Sequence, residues 1–165
     1  MRVSSINKFV TFRLGDTRFG VDVLKTKEIV EYDSVTPVPE APDFVDGVIN
    51  MRGSVVPIID LQQRFFGIKN EKKRKDGCSI IIVEPELDGE LTKIGLIVDG
   101  VQDVLEIKED RLEPPPKYGS RLKSEYLLNV ASLDNGFVLI LDIDKIMSQI
   151  DLPSDFKAPE TIGSR

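Results

Sequence analysis

An internal repeat limits the folds open to this chain more than any other feature. A shift of 75 residues places Phe19–Glu31 on Ile94–Glu106, with apolar positions falling on apolar positions. Further along, a hairpin signal followed by a short helical segment occurs twice, which places Asp60 on Asp142. Because these features recur in the same order, they indicate a duplication. A duplicated series of short strands predicts two similar small barrels packed against each other.

Short apolar and β-branched runs between turn residues predict a mainly β chain with short helices. The predicted strands are Phe9–Leu14, Phe19–Val23, Val48–Ile49, Val55–Ile59, Cys78–Val83, Ile94–Val98, Val101–Ile107, Tyr126–Ala131 and Phe137–Ile143. The predicted helices are Gln62–Phe66, capped by Asp60, and Asp144–Ile150, while residues 84–93 are predicted to form a loop. A parallel α/β fold is disfavoured, because no helical segment of about ten or more residues separates the strands.

The stretch Gly47–Leu61 predicts a β-hairpin with Arg52 at its tip. Gly53 supplies a positive φ at no steric cost. Pro57 has no N–H to donate, so the second strand is expected at a sheet edge or beside a bulge. An arginine on a stiff hairpin is either a turn residue that needs only polarity or a positioned binding contact, and these residues alone leave both interpretations open.

Composition removes several classes of function. The net charge of −6 argues against a surface for binding phosphates, and no apolar run reaches the ~18–20 residues of a membrane span. The chain has no histidine, which excludes histidine-based triads and zinc sites of the HExxH type. Cys78 is the one cysteine, so no intramolecular disulfide is possible and a reducing compartment fits best.

Three carboxylates follow predicted strands, where catalytic acids often lie. They are Asp60, Asp99 and Asp142. Aspartate at such positions more often caps a helix or forms a turn. No cluster has the spacing of metal ligands, and no nucleotide-binding or nucleophile motif is present. The sequence therefore favours a binding module over an enzyme, with no cofactor and no metal.

Several segments resemble the CheW-like family, and the resemblance covers about residues 8–150. The matching segments are Phe9–Asp16, Phe19–Val23, Glu28–Ile29, Val35–Pro39, Gly47–Gly53, Val56–Leu61, Val98–Val101 and Leu139–Ile143. The pattern G-V-x-N-x-R-G-x-x-x-P-x-x-D-L within them is the most specific. Met51 stands where the family usually has leucine, a swap that preserves volume.

The resemblance implies two five-stranded SH3-like barrels around a shared core in one domain, 1–165. The approximate halves are 8–67 and 78–150, strands can be exchanged between the barrels, and residues 152–165 are expected to be a disordered tail. It also implies a stand-alone, non-catalytic adaptor in the cytoplasm, recruited to membrane-associated receptor arrays. Such an adaptor couples chemoreceptors to the histidine kinase CheA, binding the kinase's regulatory domain on one surface and the receptor's cytoplasmic tip in a groove between barrels.

Six residues are candidates for contacts with these partners. Arg52 and Glu28 lie at positions that the family pattern fixes. The repeat pairs Val23 with Val98 and Thr26 with Val101, and equivalent elements of a duplicated fold can face each other across the junction. Small, mostly β-branched side chains there predict a shallow apolar channel for a helix. For Val23 and Val98, an ordinary core position is an equally good interpretation.

The alternative function is a nucleic-acid-binding barrel of the OB type. It requires basic residues interleaved with exposed aromatic side chains. Phe9, Phe12 and Phe19 instead fit core positions of the predicted strands, and the net negative charge opposes binding to phosphates. We therefore expect no nucleic-acid partner and no insertion into the membrane.

Overall fold

A computed structural model describes residues 6–33, 35–67, 77–115 and 124–149. In these residues the strands are β1 Ile6–Leu14, β2 Thr17–Asp22, β3 Thr26–Glu31, β4 Val45–Met51, β5 Ser54–Asp60, β6 Ser79–Val83, β7 Glu86–Leu87, β8 Glu90–Leu91, β9 Ile94–Val98, β10 Gly100–Lys108, β11 Leu112–Glu113, β12 Leu127–Leu133 and β13 Gly136–Leu141. The α-helices are α1 Leu61–Phe66 and α2 Ile143–Ser148, and 3-10 turns span Val23–Lys25, Glu109–Arg111 and Ser124–Tyr126. The predicted disordered tail, residues 152–165, lies outside the described residues.

Two large sheets make up the fold. The first has the order β10-β1-β2-β13-β12-β11 and the second has the order β3-β6-β9-β5-β4, while β7 and β8 form a separate hairpin. Each sheet combines strands from both halves of the chain, because β2 pairs in parallel with β13 and β5 pairs in parallel with β9. The predicted fold class, mainly β with two small five-stranded barrels and short helices, is confirmed, and β11 adds a sixth strand at the edge of the first sheet.

The repeat has a counterpart in the sheet order. Strands β3, β6, β9, β5 and β4 of the second sheet occupy the same places as β10, β1, β2, β13 and β12 of the first. Gly20 is paired with Ile140, and its repeat equivalent Gly95 is paired with Ile58. A methyl group at Gly20 would lie 3.0 Å from the Ile140 Cδ1, and one at Gly95 would lie 2.6 Å from the Ile58 Cδ1. Both glycines thus leave room for an isoleucine from the neighbouring parallel strand.

The core lies mainly between the two sheets. Its largest cluster takes Phe12 and Phe19 from the first sheet, Leu96 from the second, Phe65 from α1 and Ile146 from α2, all buried. A second cluster fills the five-stranded barrel and a third fills the six-stranded one. Because both barrels and both helices contribute to one cluster, the barrels are held against each other by apolar burial.

The position of Pro57 differs from the prediction. Strand β5 is not an edge strand, because it lies between β9 and β4. The pairing with β9 begins only at Ile58, one residue after the proline, so the missing N–H removes no bond from that ladder. The irregularity in the β4–β5 pair lies between Val45 and Gly47 on the partner strand rather than at Pro57.

Both short helices begin where the repeat places an aspartate. The side chain of Asp60 accepts a hydrogen bond from the Gln63 N–H at 3.2 Å, and that of Asp142 accepts one from the Lys145 N–H at 3.1 Å. Gly67, with a φ of 71°, ends α1 as predicted. The predicted loop at residues 84–93 is wrong, since this segment contains the β7–β8 hairpin with Asp88 and Gly89 in its turn.

Candidate partner-binding surface

The β4–β5 hairpin holds Arg52 out in solvent. Arg52 and Gly53 form the turn with φ values of 51° and 87°, which is the combination of a tight hairpin turn with two positive φ angles. The side chain of Asn50 accepts a hydrogen bond from the Gly53 N–H at 3.1 Å and so fixes the turn. The Arg52 side chain is 70% exposed. The hairpin tip predicted from the sequence is therefore present.

Arg52 forms an ion pair with Glu28, the other residue that the family resemblance selected. The Arg52 Nη1 lies 2.5 Å from the Glu28 Oε2. Glu28 lies on β3 and Arg52 follows β4, and these two strands form opposite edges of the five-stranded sheet. The ion pair therefore spans the two edges where the sheet curls into a barrel. Sequence reasoning selected both residues but did not predict their contact.

The ion pair shifts the pKa of both groups toward their charged forms. The hydrogen bond from Arg52 lowers the pKa of the Glu28 carboxyl below its ordinary value, and the positive charge of Lys93 adds to the effect. The same hydrogen bond raises the pKa of Arg52. Both groups therefore stay charged at neutral pH. The hairpin tip thus presents a guanidinium that is held beside a carboxylate.

Three of the four groove candidates, Val23, Val98 and Val101, belong to or pack against the core that the two barrels share. Val23 and Val101 are half-buried and pack against the shared core, and Thr26 is half-buried. Val98 is 0% exposed, so it is a core residue that packs beneath the surface and cannot contact a partner directly. Thr26 on β3 is paired with Val83 of β6, and Val101 on β10 is paired with Phe12 of β1. Thr26 and Val101, which are equivalent in the repeat, therefore lie on equivalent edge strands of the two sheets.

The turn at Val23–Lys25 exposes a leucine that sequence reasoning did not select. The side chain of Asp22 caps this turn by accepting a hydrogen bond from the Leu24 N–H at 2.9 Å. Leu24 is 83% exposed, whereas Lys25 reaches Asp144 of α2 at 2.8 Å. A leucine placed shortly after a capping aspartate is the sequence signal that would have marked this turn.

The carboxylates considered as catalytic acids have structural contacts. Asp60 and Asp142 cap α1 and α2, and Asp99 accepts a hydrogen bond from the Gly15 N–H at 2.6 Å. In the described ranges, no three histidine, cysteine, aspartate or glutamate side chains lie close enough together to hold a metal ion. In the same ranges, no helix is long and apolar enough to cross a membrane.

Comparisons with known proteins agree with this architecture. The family model described as the CheW-like domain matches residues 8–151. The chemotaxis protein CheW of Klebsiella aerogenes is 36% identical over 145 residues, which covers 88% of this chain and 84% of that protein. The chemotaxis protein CheW of Thermotoga maritima is 33% identical over 145 residues, covering 86% and 87%.

A solved structure is similar as well. The crystal structure of the scaffolding protein TtCheW from Thermoanaerobacter tengcongensis matches with a TM-score of 0.72 at 38% identity, and it covers 82% of this chain and 88% of that one. The family model matches most of the chain, and the sequence relatives and the solved structure agree with it in sequence and fold. The chain belongs to the CheW-like domain family.

Proposed function

We propose that this chain is a chemotaxis adaptor that couples the cytoplasmic tip of chemoreceptors to the histidine kinase CheA. Its membership of the CheW-like family supports the chemotaxis role, and the similar solved structure is that of a scaffolding protein. The observation that carries the proposal is the exposed Arg52–Glu28 ion pair. The two residues at family-fixed positions form one charged feature on the rim of a barrel, where a partner can reach it.

The kinase's regulatory domain is proposed to bind through barrel-to-barrel contact. The edge strands β3 and β10 are repeat equivalents, and each carries one exposed β-branched residue at a matching position. Ile29 is 45% exposed and Val104 is 56% exposed. Edge strands with apolar side chains can pair with a similar fold, and the affinity is then expected to depend only weakly on salt.

The receptor tip is proposed to bind at the junction between the barrels. Val23, Thr26 and Val101 offer partly exposed, mostly β-branched surface there, supported from beneath by Val98. Such a surface suits the apolar face of an amphipathic helix.

The chain is proposed to act without catalysis, at the cytoplasmic face of a receptor array. Two of the three strand-end carboxylates cap helices and the third holds the turn at Gly15, so each has a structural role. Phe9, Phe12 and Phe19 are buried, which leaves them no face on which a nucleic-acid base could stack. These contacts favour the adaptor over the nucleic-acid-binding alternative.

Titration of the chain with a receptor-tip fragment and with the kinase's regulatory domain tests the proposal. We expect the parent to bind both. Val101→Glu is expected to weaken receptor binding and spare kinase binding, because it places a charge in the proposed groove. Since Val101 is half-buried, the variant's melting temperature is measured in parallel, and Thr26→Glu serves as a second groove variant. Unchanged receptor binding by both folded variants would place the groove elsewhere.

A further inference from the structure

The Val23–Lys25 turn contacts the segment that leads into the β7–β8 hairpin, and Asp144 links the turn to the hairpin itself. The Glu84 N–H donates to the Lys25 carbonyl oxygen at 3.0 Å, and the Lys27 Nζ lies 3.3 Å from the Glu84 Oε1. Asp144 of α2 accepts from the Lys25 Nζ at 2.8 Å and from the Glu86 N–H at 3.1 Å. One carboxylate therefore fixes the turn and the hairpin to the same helix.

Two leucines on these joined segments remain in solvent. Leu24 is 83% exposed on the turn, and Leu91 is 65% exposed on β8. Leu91 is the strand partner of Glu86, which Asp144 links to Lys25, the neighbour of Leu24. Leu87 of the same hairpin packs against the shared core, so the hairpin is anchored on its inner side. The two leucines are thus held on a fixed base rather than on a loose loop.

The charges around the leucines are mainly negative. Five carboxylates lie in or beside the hairpin, against three lysines: Glu84, Glu86, Asp88, Glu90 and Asp144 against Lys25, Lys27 and Lys93. A surface of this charge repels anionic lipid headgroups and disfavours a second copy of itself. It favours a segment that presents apolar side chains together with lysine or arginine.

We propose that Leu24, Leu91, Glu86, Asp88 and Glu90, here the hairpin patch, form a second contact for the chemoreceptor tip. The receptor segment that binds there is apolar and bordered by lysine or arginine. The receptor is the occupant because Leu24 lies on the same turn as Val23 and two residues before Thr26, which places this end of the patch beside the proposed groove. The inference rests on the proposed function, whose receptor partner it adopts.

Calorimetric titration of the full chain with a receptor-tip fragment and with the kinase's regulatory domain tests the patch. Leu24→Ser/Leu91→Ser is expected to weaken receptor binding by about tenfold or more, as for the loss of central apolar anchors, while kinase binding stays within about twofold. Leu128→Ser is the matched control, because Leu128 is 48% exposed on β12. Melting temperatures confirm that each exposed-site variant is folded.

Variants that neutralise carboxylates test whether the receptor segment carries lysine or arginine. Glu86→Gln/Glu90→Gln is expected to weaken receptor binding and to reduce its dependence on salt. Asp110→Asn/Glu113→Gln removes two exposed carboxylates elsewhere on the chain and is expected to change neither. Equal salt dependence in the parent and the Glu86→Gln/Glu90→Gln variant would contradict the inferred basic segment.

The outcomes separate this inference from the proposed function. A parent that binds both partners, with a Leu24→Ser/Leu91→Ser variant that binds the receptor equally well, overturns the hairpin patch and leaves the adaptor role standing. A parent that binds neither partner overturns the adaptor role and the patch with it. A parent that sediments alone as a dimer, with a double variant that sediments as a monomer, identifies a second copy as the occupant and overturns the proposal.

Discussion

Arg52 and Glu28 are selected by separate parts of the sequence, and the fold brings them together as one ion pair. The local sequence predicts Arg52 at a hairpin tip and Glu28 on a neighbouring segment, and the curl of the five-stranded sheet brings their charged groups to 2.5 Å. Such a contact is not predictable from the local sequence, because it depends on which strands form the sheet edges. The exposure of the arginine is predictable because its own turn sets its position.

Replacing Arg52 with alanine is expected to leave the melting temperature nearly unchanged. The side chain is 70% exposed, and exposed ion pairs contribute little to stability. Coupling between receptor and kinase is expected to fall by about tenfold or more, since arginine is a frequent hot-spot residue. Arg111→Ala, at an arginine that is 50% exposed, is the control. A clear loss of melting temperature with normal coupling would make Arg52 structural.

The titration of Glu28 is expected to respond to the same substitution. In the parent, the hydrogen bond from Arg52 lowers the Glu28 pKa. The pair therefore stabilises the fold above the unfolded-state pKa, and this contribution is lost as the pH falls through the lowered folded-state pKa. In Arg52→Ala, the Glu28 pKa rises toward its ordinary value, as measured by NMR of the carboxyl carbon. An unchanged pKa would mean that the two groups are not paired in solution.

Elements with strong local signals are predicted well from the sequence. The central hairpin, both aspartate caps and the buried strand Ser79–Val83 follow from turn residues, capping residues and an unbroken apolar run. The β7–β8 hairpin is missed although Asp88-Gly89 is a hairpin signal, because its strands are only two residues long and charged. The edge position predicted from Pro57 is wrong because the place of β5 in the sheet depends on a long-range pairing with β9.

The cap of α2 offers a sharp test at this scale. Asp142→Ala is expected to lower the free energy of unfolding by about 1 kcal/mol, because the Lys145 N–H loses its acceptor. Asp142→Asn is the matched control and is expected to cost much less, since asparagine caps helices equally well. Urea denaturation measures both. Equal losses for alanine and asparagine would show that the charge, rather than the cap, is what stabilises the helix.

The fold contains the two barrels that the duplication predicts, but each barrel is not built from one half of the chain alone. The repeat predicts two similar barrels, yet β2–β13 and β5–β9 are parallel pairs between distant parts of the chain. Sequence patterns do not specify such pairings, because they report local period and polarity. We propose that the halves 8–67 and 78–150 are repeats of one domain rather than separate folding units.

Separate fragments test this proposal. Residues 1–76 and 77–165, expressed alone, are expected to show no cooperative thermal transition, because each large sheet and the shared core need strands from both. The intact chain is expected to unfold in one transition. Calorimetry measures all three. A cooperative transition in either fragment would show that one half folds without the other.

Co-sedimentation with receptor-containing membranes tests the central claim, that the chain couples receptor to kinase, most directly. Membranes carrying chemoreceptors are mixed with CheA in the presence and absence of the chain, and the sedimented kinase is measured. We predict that the parent chain increases the amount of kinase bound to the membranes and that Arg52→Ala does so far less. Kinase sedimentation that is the same with and without the parent chain would contradict the adaptor role.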